Sequence, residues 1–343
     1  MFALRRLLLW LAACALCALP NAARADDQDR TTLLEENDSL YFNSDKHYTQ
    51  GLRISDLRPD LAPDSAWQRP FAWLGNLAPI FSPNGAPSAP QRRYALFLGQ
   101  SLFTPKNLRL KPPDPRDRPY AGWAYLGASL LQESGGRMLE NLEIDLGVVG
   151  PLALGGPVQR TWHRIIGDVK PEGWGYQLHN EPGTMISYER YWRRPLLGDG
   201  GRGVDVVPEI GATVGNVMTY GDVGGQLRIG KGLLADYGLV RVRPALSGTD
   251  YFDADKLDCG RGYYFFIGAQ GRVVGHNIFL DGNTFRPSAR VPKKTCVADL
   301  QAGFSALWSS TLRLDFSVVR RTQEFVGQHG LDEIGTAALT FSW

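Results

Sequence analysis

The chain has 343 residues, with 37 Lys and Arg against 35 Asp and Glu. That near-neutral balance argues against a nucleic-acid binder, which needs a strongly basic face. The only long apolar run lies at the N-terminus, so no ~18-residue stretch of the remainder is available for a membrane helix.

The first elements are export signals. Arg5 and Arg6 precede an apolar run over 7–20, and Ala23-Arg24-Ala25 is a small-x-small cleavage site. The division that follows is a signal peptide over 1–25 and one β-rich domain over 26–343. Leu11-Ala12-Ala13-Cys14 resembles a lipoprotein cleavage box and competes with it, although the Ala-Arg-Ala site follows the more complete apolar region. Cleavage after Ala25 removes Cys14 and Cys17 and leaves Cys259 and Cys296. An oxidising compartment favours a disulfide between these two, joining the bases of an excursion over 260–295.

Beyond the signal, apolar and polar residues alternate in a period-two pattern over 33–42, 51–57, 94–103, 121–131, 142–149, 184–192, 204–214, 224–230, 263–271, 297–307, 312–319 and 333–343. These twelve stretches suit an all-β fold, a closed antiparallel transmembrane barrel of about 12 strands. The alternation runs to the last residue through Leu339, Phe341 and Trp343. A terminal strand of that kind is expected to pair with the first, so that no edge is left open. Residues 239–246 are read as an extension or loop strand. Aromatic residues near strand ends, Tyr120, Trp123, Tyr125, Tyr188, Tyr191, Trp192, Tyr263, Tyr264 and Trp308, are read as girdles. The connections are unequal. Residues 56–93 and 230–261 are long, whereas 134–138, 215–221 and 309–311 are short, as expected for long external loops and short internal turns.

Two polar clusters carry candidate chemistry. In the first, Asn37 and Asp38 offer an amide oxygen and a carboxylate, both hard donors suited to calcium. Neighbouring strand residues point to opposite faces, so the strand must bulge or end there for both to reach one ion. Thr49 on the return strand would lie beside them. In the second, residues 157–167 read as a helix closed by Gly167. Val158, Trp162 and Ile165 form one stripe; Gln159, His163 and Ile166 form the next. His163 is thereby a candidate base. His47 and His179 are weaker rivals, and His276 and His329 read as loop or strand-end residues. No G-x-S-x-G elbow, H-E-x-x-H or P-loop is present.

Four motifs make the chain recognisable. They are END at 36–38, DKHYTQG at 45–51, DRPYAGW at 117–123, and the series G-P, VQ, HRIIG, GW, QL and NEPG across 150–183. Together they resemble the outer-membrane lipid A 3′-O-deacylase family over most of the mature chain. The resemblance implies a twelve-stranded barrel with a site near the outer rim, between the barrel wall and a short helix from an extracellular loop. It also implies a calcium-dependent hydrolase that removes the 3′-linked acyloxyacyl group of lipid A. Asn37, Asp38 and Thr49 fall at family active-site positions, and His163 at the proposed base. The supporting acid is left open among Asp168, Glu172 and Glu181. Arg109, Lys111, Arg116 and Arg118 are the candidate lipid-phosphate contacts, with Glu181 beside them as a substrate-binding candidate. The implied partners are lipopolysaccharide and the outer membrane, with the chain as a monomer. A porin and a serine-dependent outer-membrane phospholipase are the alternatives.

Overall fold

The structure, a computed structural model, describes residues 29–41, 46–81, 89–199, 201–257, 260–309 and 311–342. The signal peptide, the Cys14 box, Asp45, Cys259 and Trp343 lie outside them.

Alternation along each segment is what builds the wall. The strands are β1 (Arg30–Asn37), β2 (His47–Leu57), β3 (Gln91–Thr104), β4 (Ala121–Ser134), β5 (Met138–Val149), β6 (Glu181–Trp192), β7 (Arg194–Gly198), β8 (Arg202–Gly215), β9 (Met218–Lys231), β10 (Gly262–Asn277), β11 (Cys296–Ser309), β12 (Leu312–Arg321) and β13 (Asp332–Ser342). Every neighbouring pair is antiparallel. The first strand pairs with the last, from Arg30 opposite Ser342 to Asn37 opposite Gly335. The β6–β8 ladder completes the circuit.

The thirteenth strand does not break the even count. β6 meets β8 down to Tyr191 opposite Glu209, and β7 resumes at Arg194 opposite Val206 in the same register. β7 is the continuation of β6 past a break at Arg193. Beyond it Pro195, which has no N–H to give the ladder, precedes a register shift.

Outward residues form an apolar band. Leu96, Leu98, Leu126, Leu146, Ile210, Val223, Ile229, Phe265, Ile267 and Leu300 are all exposed. Inward residues include many polar and aromatic side chains, with aliphatic ones among them. The expected girdle divides accordingly. Tyr263 and Trp308 are exposed on the outside, whereas Trp123, Tyr125, Tyr191 and Tyr264 point inward and are buried.

Residues 239–246 form no strand. They belong to a connection, 232–257, that leaves β9 and turns into the lumen. Val240 and Val242 pack with Leu34 of β1 and Ala338 of β13. Charged residues on the segment and on the wall pair across the interior. Arg53 binds Asp250 at 2.6 Å, Arg243 binds Glu143 at 3.0 Å and also Glu189, and Arg313 and Arg228 both bind Asp236, at 2.9 and 2.6 Å. The lumen is therefore occupied by protein.

The loop distribution differs from expectation. The long connections 58–90 and 232–261 both lie at the end that carries Arg30 and Ser342, here the terminal end, together with the short turn 135–137. The opposite, distal end carries 105–120, 150–180, 278–295 and 322–331, and also the two-residue turn 216–217. The connection over 58–90 also contains a helix, α1 (Gln68–Leu77), where the sequence had suggested only loop. Cys296 opens β11 opposite Val273 at the distal end, whereas Gly262 opposite Leu307 marks the terminal end of the same ladder.

Candidate active site on the outer wall

The first polar cluster ends a strand, as its chemistry requires. β1 stops at Asn37, and the chain turns at once. Asn37 Oδ1 accepts from the Ser39 N–H at 2.8 Å and the Ser39 hydroxyl at 2.6 Å, a side-chain-closed turn. Asp38 Oδ2 accepts from the Lys46 N–H, which closes the hairpin mouth. Across it, β2 bulges. Tyr48 pairs with Phe103 and Gln50 with Leu102, leaving Thr49 as the extra residue. The Thr49 hydroxyl lies 2.6 Å from that of Thr104. A strand end and a bulge are the two departures from strict alternation that let Asn37, Asp38 and Thr49 share one neighbourhood. All three are buried.

Glu36 and Asn37 face opposite ways. Glu36 points into the lumen, where Tyr48 donates to Oε2 at 3.0 Å and the Val242 N–H to Oε1 at 3.3 Å. Asn37 faces outward, in a row that runs Asn37 opposite Gln50, Gln50 opposite Leu102 and Leu102 opposite Gly122. Gln50 donates to Glu35 at 3.2 Å on the same outer face.

The second cluster arrives on that row from outside. Helix α2 (Gly155–Ile166) ends at Gly167, whose φ of 76° is the left-handed conformation that favours glycine. It packs against the barrel's outer surface. Leu102 and Tyr120 form a cluster with Trp174 and Leu108, against which Val158 and Val169 also pack. At the N-terminus of the helix, a Cβ on Gly155 would strike Trp174 and Leu102, and a Cβ on Gly122 would press on Ala153 and Gly155. The helix therefore approaches where side chains are missing.

Its most deeply buried side chains are polar. Gln159 and His163 are the buried face, while Ile165, with Leu152 and Leu154 just before the helix, is exposed. Val158 and Trp162 are half-buried, with Val158 on the wall cluster, and Thr161 and Arg164 are exposed beside Ile165, so the side turned away from the wall is mixed. Gln159 Oε1 accepts from Trp174 Nε1 at 2.7 Å. His163 Nδ1 pairs with the Val169 carbonyl. A carbonyl only accepts, so Nδ1 carries a proton, and in the neutral ring the lone pair is on Nε2.

The remaining candidates separate. His47 is buried and clamped, with Nδ1 2.7 Å from Asp332 Oδ1 and Nε2 3.7 Å from Asp117. His179 is exposed. Glu181 is buried and committed to the Asn283 side chain, the Thr284 and Phe285 N–H groups and Asn216. It braces a distal loop and has no surface for a substrate. Asp168 caps the Val169 N–H at 2.6 Å. Glu172 pairs with Lys170 at 2.9 Å, and that ammonium holds its carboxyl below the ordinary value. Arg118 is fully buried, donates to Glu324 at 3.0 Å and lies over Phe103, so a lipid phosphate would not reach it. Arg109, Lys111 and Arg116 are exposed, with Arg116 bonded to Asp114.

Among the described residues no three or more His, Cys, Asp or Glu side chains converge on a point. The donor set at 37–38 is instead one amide oxygen and one carboxylate. Its chemistry suits a hard cation completed by water and main-chain carbonyls, and does not suit zinc.

The comparisons now add to this geometry. The family model described as outer membrane protein LpxR matches residues 8–343. The chain belongs to the LpxR family of outer membrane proteins. LpxR from Salmonella typhimurium is a structural neighbour with a TM-score of 0.66 and 21% identity, covering 91% of this chain and 99% of that one. That likeness bears on the fold alone. The β-domain of the Bordetella autotransporter BrkA follows at a TM-score of 0.42 and 12% identity, over 93% of this chain and 99% of that one. No curated protein matches the chain in sequence. Membership of this family, with the closed barrel and its apolar band, places this protein in the bacterial outer membrane.

Proposed function

We propose that this LpxR-family protein is a lipid A deacylase that hydrolyses the 3′-linked acyloxyacyl ester at the distal rim of the barrel. The observation that carries the reading is the placement of helix α2 on the outer wall. Its buried residues Gln159 and His163 face the outer wall, where Asn37 and Gln50 lie in one row. A site on the membrane-facing surface takes a substrate whose acyl chains never leave the bilayer.

Nε2 of neutral His163 takes a proton from water as the oxygen attacks the ester carbonyl. The proton then passes to the departing sugar oxygen, and no covalent acyl-enzyme is needed. Asn37 and Asp38 would hold calcium, which when bound supplies positive charge to polarise the carbonyl. The Thr49 hydroxyl, in contact with Thr104, orients water or substrate. Arg109 and Lys111 are exposed cations of the 105–120 loop available to lipid phosphates.

The channel alternative is disfavoured by the lumen, which residues 232–257 fill through buried ion pairs. Mass spectrometry of lipid A from cells with and without this protein tests the reading. Loss of the 3′ acyloxyacyl mass only when the protein is present, and its abolition by a calcium chelator, are the expected results. Unchanged lipid A would overturn it.

A further inference from the structure

The connection between β2 and β3 places a helix on the wrong side of the wall for a soluble loop. Residues Tyr94, Leu130, Leu142 and Tyr188 form one register row across four strands, Tyr94 opposite Leu130, Leu130 opposite Leu142 and Leu142 opposite Tyr188. All four lie on the outward face. Helix α1 and its flanks run along this row. The Trp67 ring stacks on Tyr94 with centroids 4.1 Å apart and planes 13° apart. Phe71 and Phe81 pack on Leu142, with Leu74, Leu130 and Tyr188 around them.

The rows on either side of the helix differ in kind. The next outward row toward the distal end holds Leu96, Ile144 and Ile186, which are 43%, 40% and 47% exposed. That is bare lipid-facing wall. The next row toward the terminal end is polar. Arg92 donates to Gln132 at 2.8 Å, Gln132 to Glu140 at 3.4 Å, and Arg190 to Glu140 at 2.8 Å. Helix α1 therefore lies along the line where the apolar band gives way to polar residues.

Its own polar groups turn toward the polar row. Gln68 Oε1 accepts from Arg92 at 2.9 Å, the Pro79 carbonyl accepts from Arg190 at 3.1 Å, and the Phe81 N–H donates to Glu140 at 3.0 Å. Large apolar groups are left outside. Trp73 is 63% exposed and Leu77 65%, and Trp67, with one face on Tyr94, is still 40% exposed. Large apolar side chains left in water are unfavourable, in rough proportion to the apolar area that stays exposed. Indoles are enriched where an apolar layer meets water, and an in-plane amphipathic helix buries such a face in the headgroup–acyl boundary.

We propose that α1 is a membrane-interface anchor, seated in the phospholipid surface at the terminal end of the barrel through Trp67, Trp73 and Leu77. An even-stranded outer-membrane barrel starts its first strand and finishes its last on one side, the periplasmic side, here marked by Arg30 opposite Ser342, so the surface in question is the inner leaflet. The helix then sets the depth and tilt of the barrel from below, while the candidate active site lies at the other rim.

The chain has nine tryptophans, so the test is a difference measurement. The full-length protein and its Trp73→Phe variant are reconstituted in vesicles of phosphatidylethanolamine and phosphatidylglycerol, with phosphatidylcholine brominated at defined acyl positions. The wild-type minus variant emission is that of Trp73. It should lose most of its intensity, and most strongly with bromines nearest the headgroup. Heat-modified gel migration of both proteins checks that the barrel is folded. Trp73 emission unaffected by brominated lipid at every depth would overturn the proposal. So would a crosslinkable dimer in detergent that disappears in Trp73→Asp, which would make a second copy the occupant of this face.

Discussion

The Tyr48 hydroxyl reaches Glu36 Oε2 at 3.0 Å by lying back across Gly51 of its own strand. A Cβ on Gly51 would occupy the position of that hydroxyl and crowd Val242 of the luminal segment. This contact links three features: the buried Glu36 next to Asn37, the Thr49 bulge next to Tyr48, and the segment that fills the barrel. The glycine of the DKHYTQG motif is thus required by packing at close quarters.

Gly51→Ala should therefore displace Tyr48 and disturb the Thr49 bulge. Overpacking of this kind costs about 1–3 kcal/mol. The unfolding midpoint in denaturant should fall, and deacylation should fall with it. An unchanged midpoint would mean that Tyr48 finds another rotamer without loss.

His163 and His47 should separate cleanly. His163→Ala should lower the deacylation rate by about 10²–10⁴-fold, the usual contribution of a general base, with the barrel intact. His47→Ala should act mainly on stability. It leaves buried Asp332 without its 2.7 Å partner, at a cost of about 1–3 kcal/mol. Rates and unfolding midpoints measured side by side decide the matter. A wild-type rate for His163→Ala would remove it from the mechanism.

Asp38→Asn should weaken calcium binding while leaving the fold in place, because it removes charge but little volume. Calorimetric titration of the folded protein with calcium reads this directly, apart from activity. Equal affinity in wild type and variant would show that Asp38 is not a ligand.

The luminal segment should keep the barrel silent. Wild-type protein in planar bilayers is expected to show no steady conductance. Arg243→Ala leaves Glu143 and Glu189 without their shared cation, and breaking a buried pair in this way costs about 3–5 kcal/mol. Open-channel events should appear in that variant. Steady conductance of the wild type would instead support the porin reading.

Much of this protein was legible in one dimension. Period-two alternation needs only the pleat of a single strand, so all twelve barrel strands could be placed, and the terminal run through Leu339 and Phe341 foretold the pairing with β1. The helix over 157–167, its closing Gly167 and the need for a strand end at Asn37 are likewise local. What alternation does not encode is which side of the wall a connection lies on. Residues 239–246 look like another strand, yet they fill the lumen, because Arg243 finds Glu143 and Glu189, and Arg241 finds Ser317, Thr336 and Gln301, on strands far away in the sequence. The stripe of Val158, Trp162 and Ile165 looks like the buried face of α2, yet Val158 and Trp162 are only half-buried and Gln159 and His163 fully so, because Trp174 and the Val169 carbonyl of the following loop engage their polar atoms. Arg118 looks like its exposed neighbours Arg109 and Lys111, yet Glu324, two hundred residues away, draws it inside. Local sequence determined the strands, their order and the polar residues that make a site conceivable. Only the closed barrel, by choosing an inside and an outside, decided which of those residues meet.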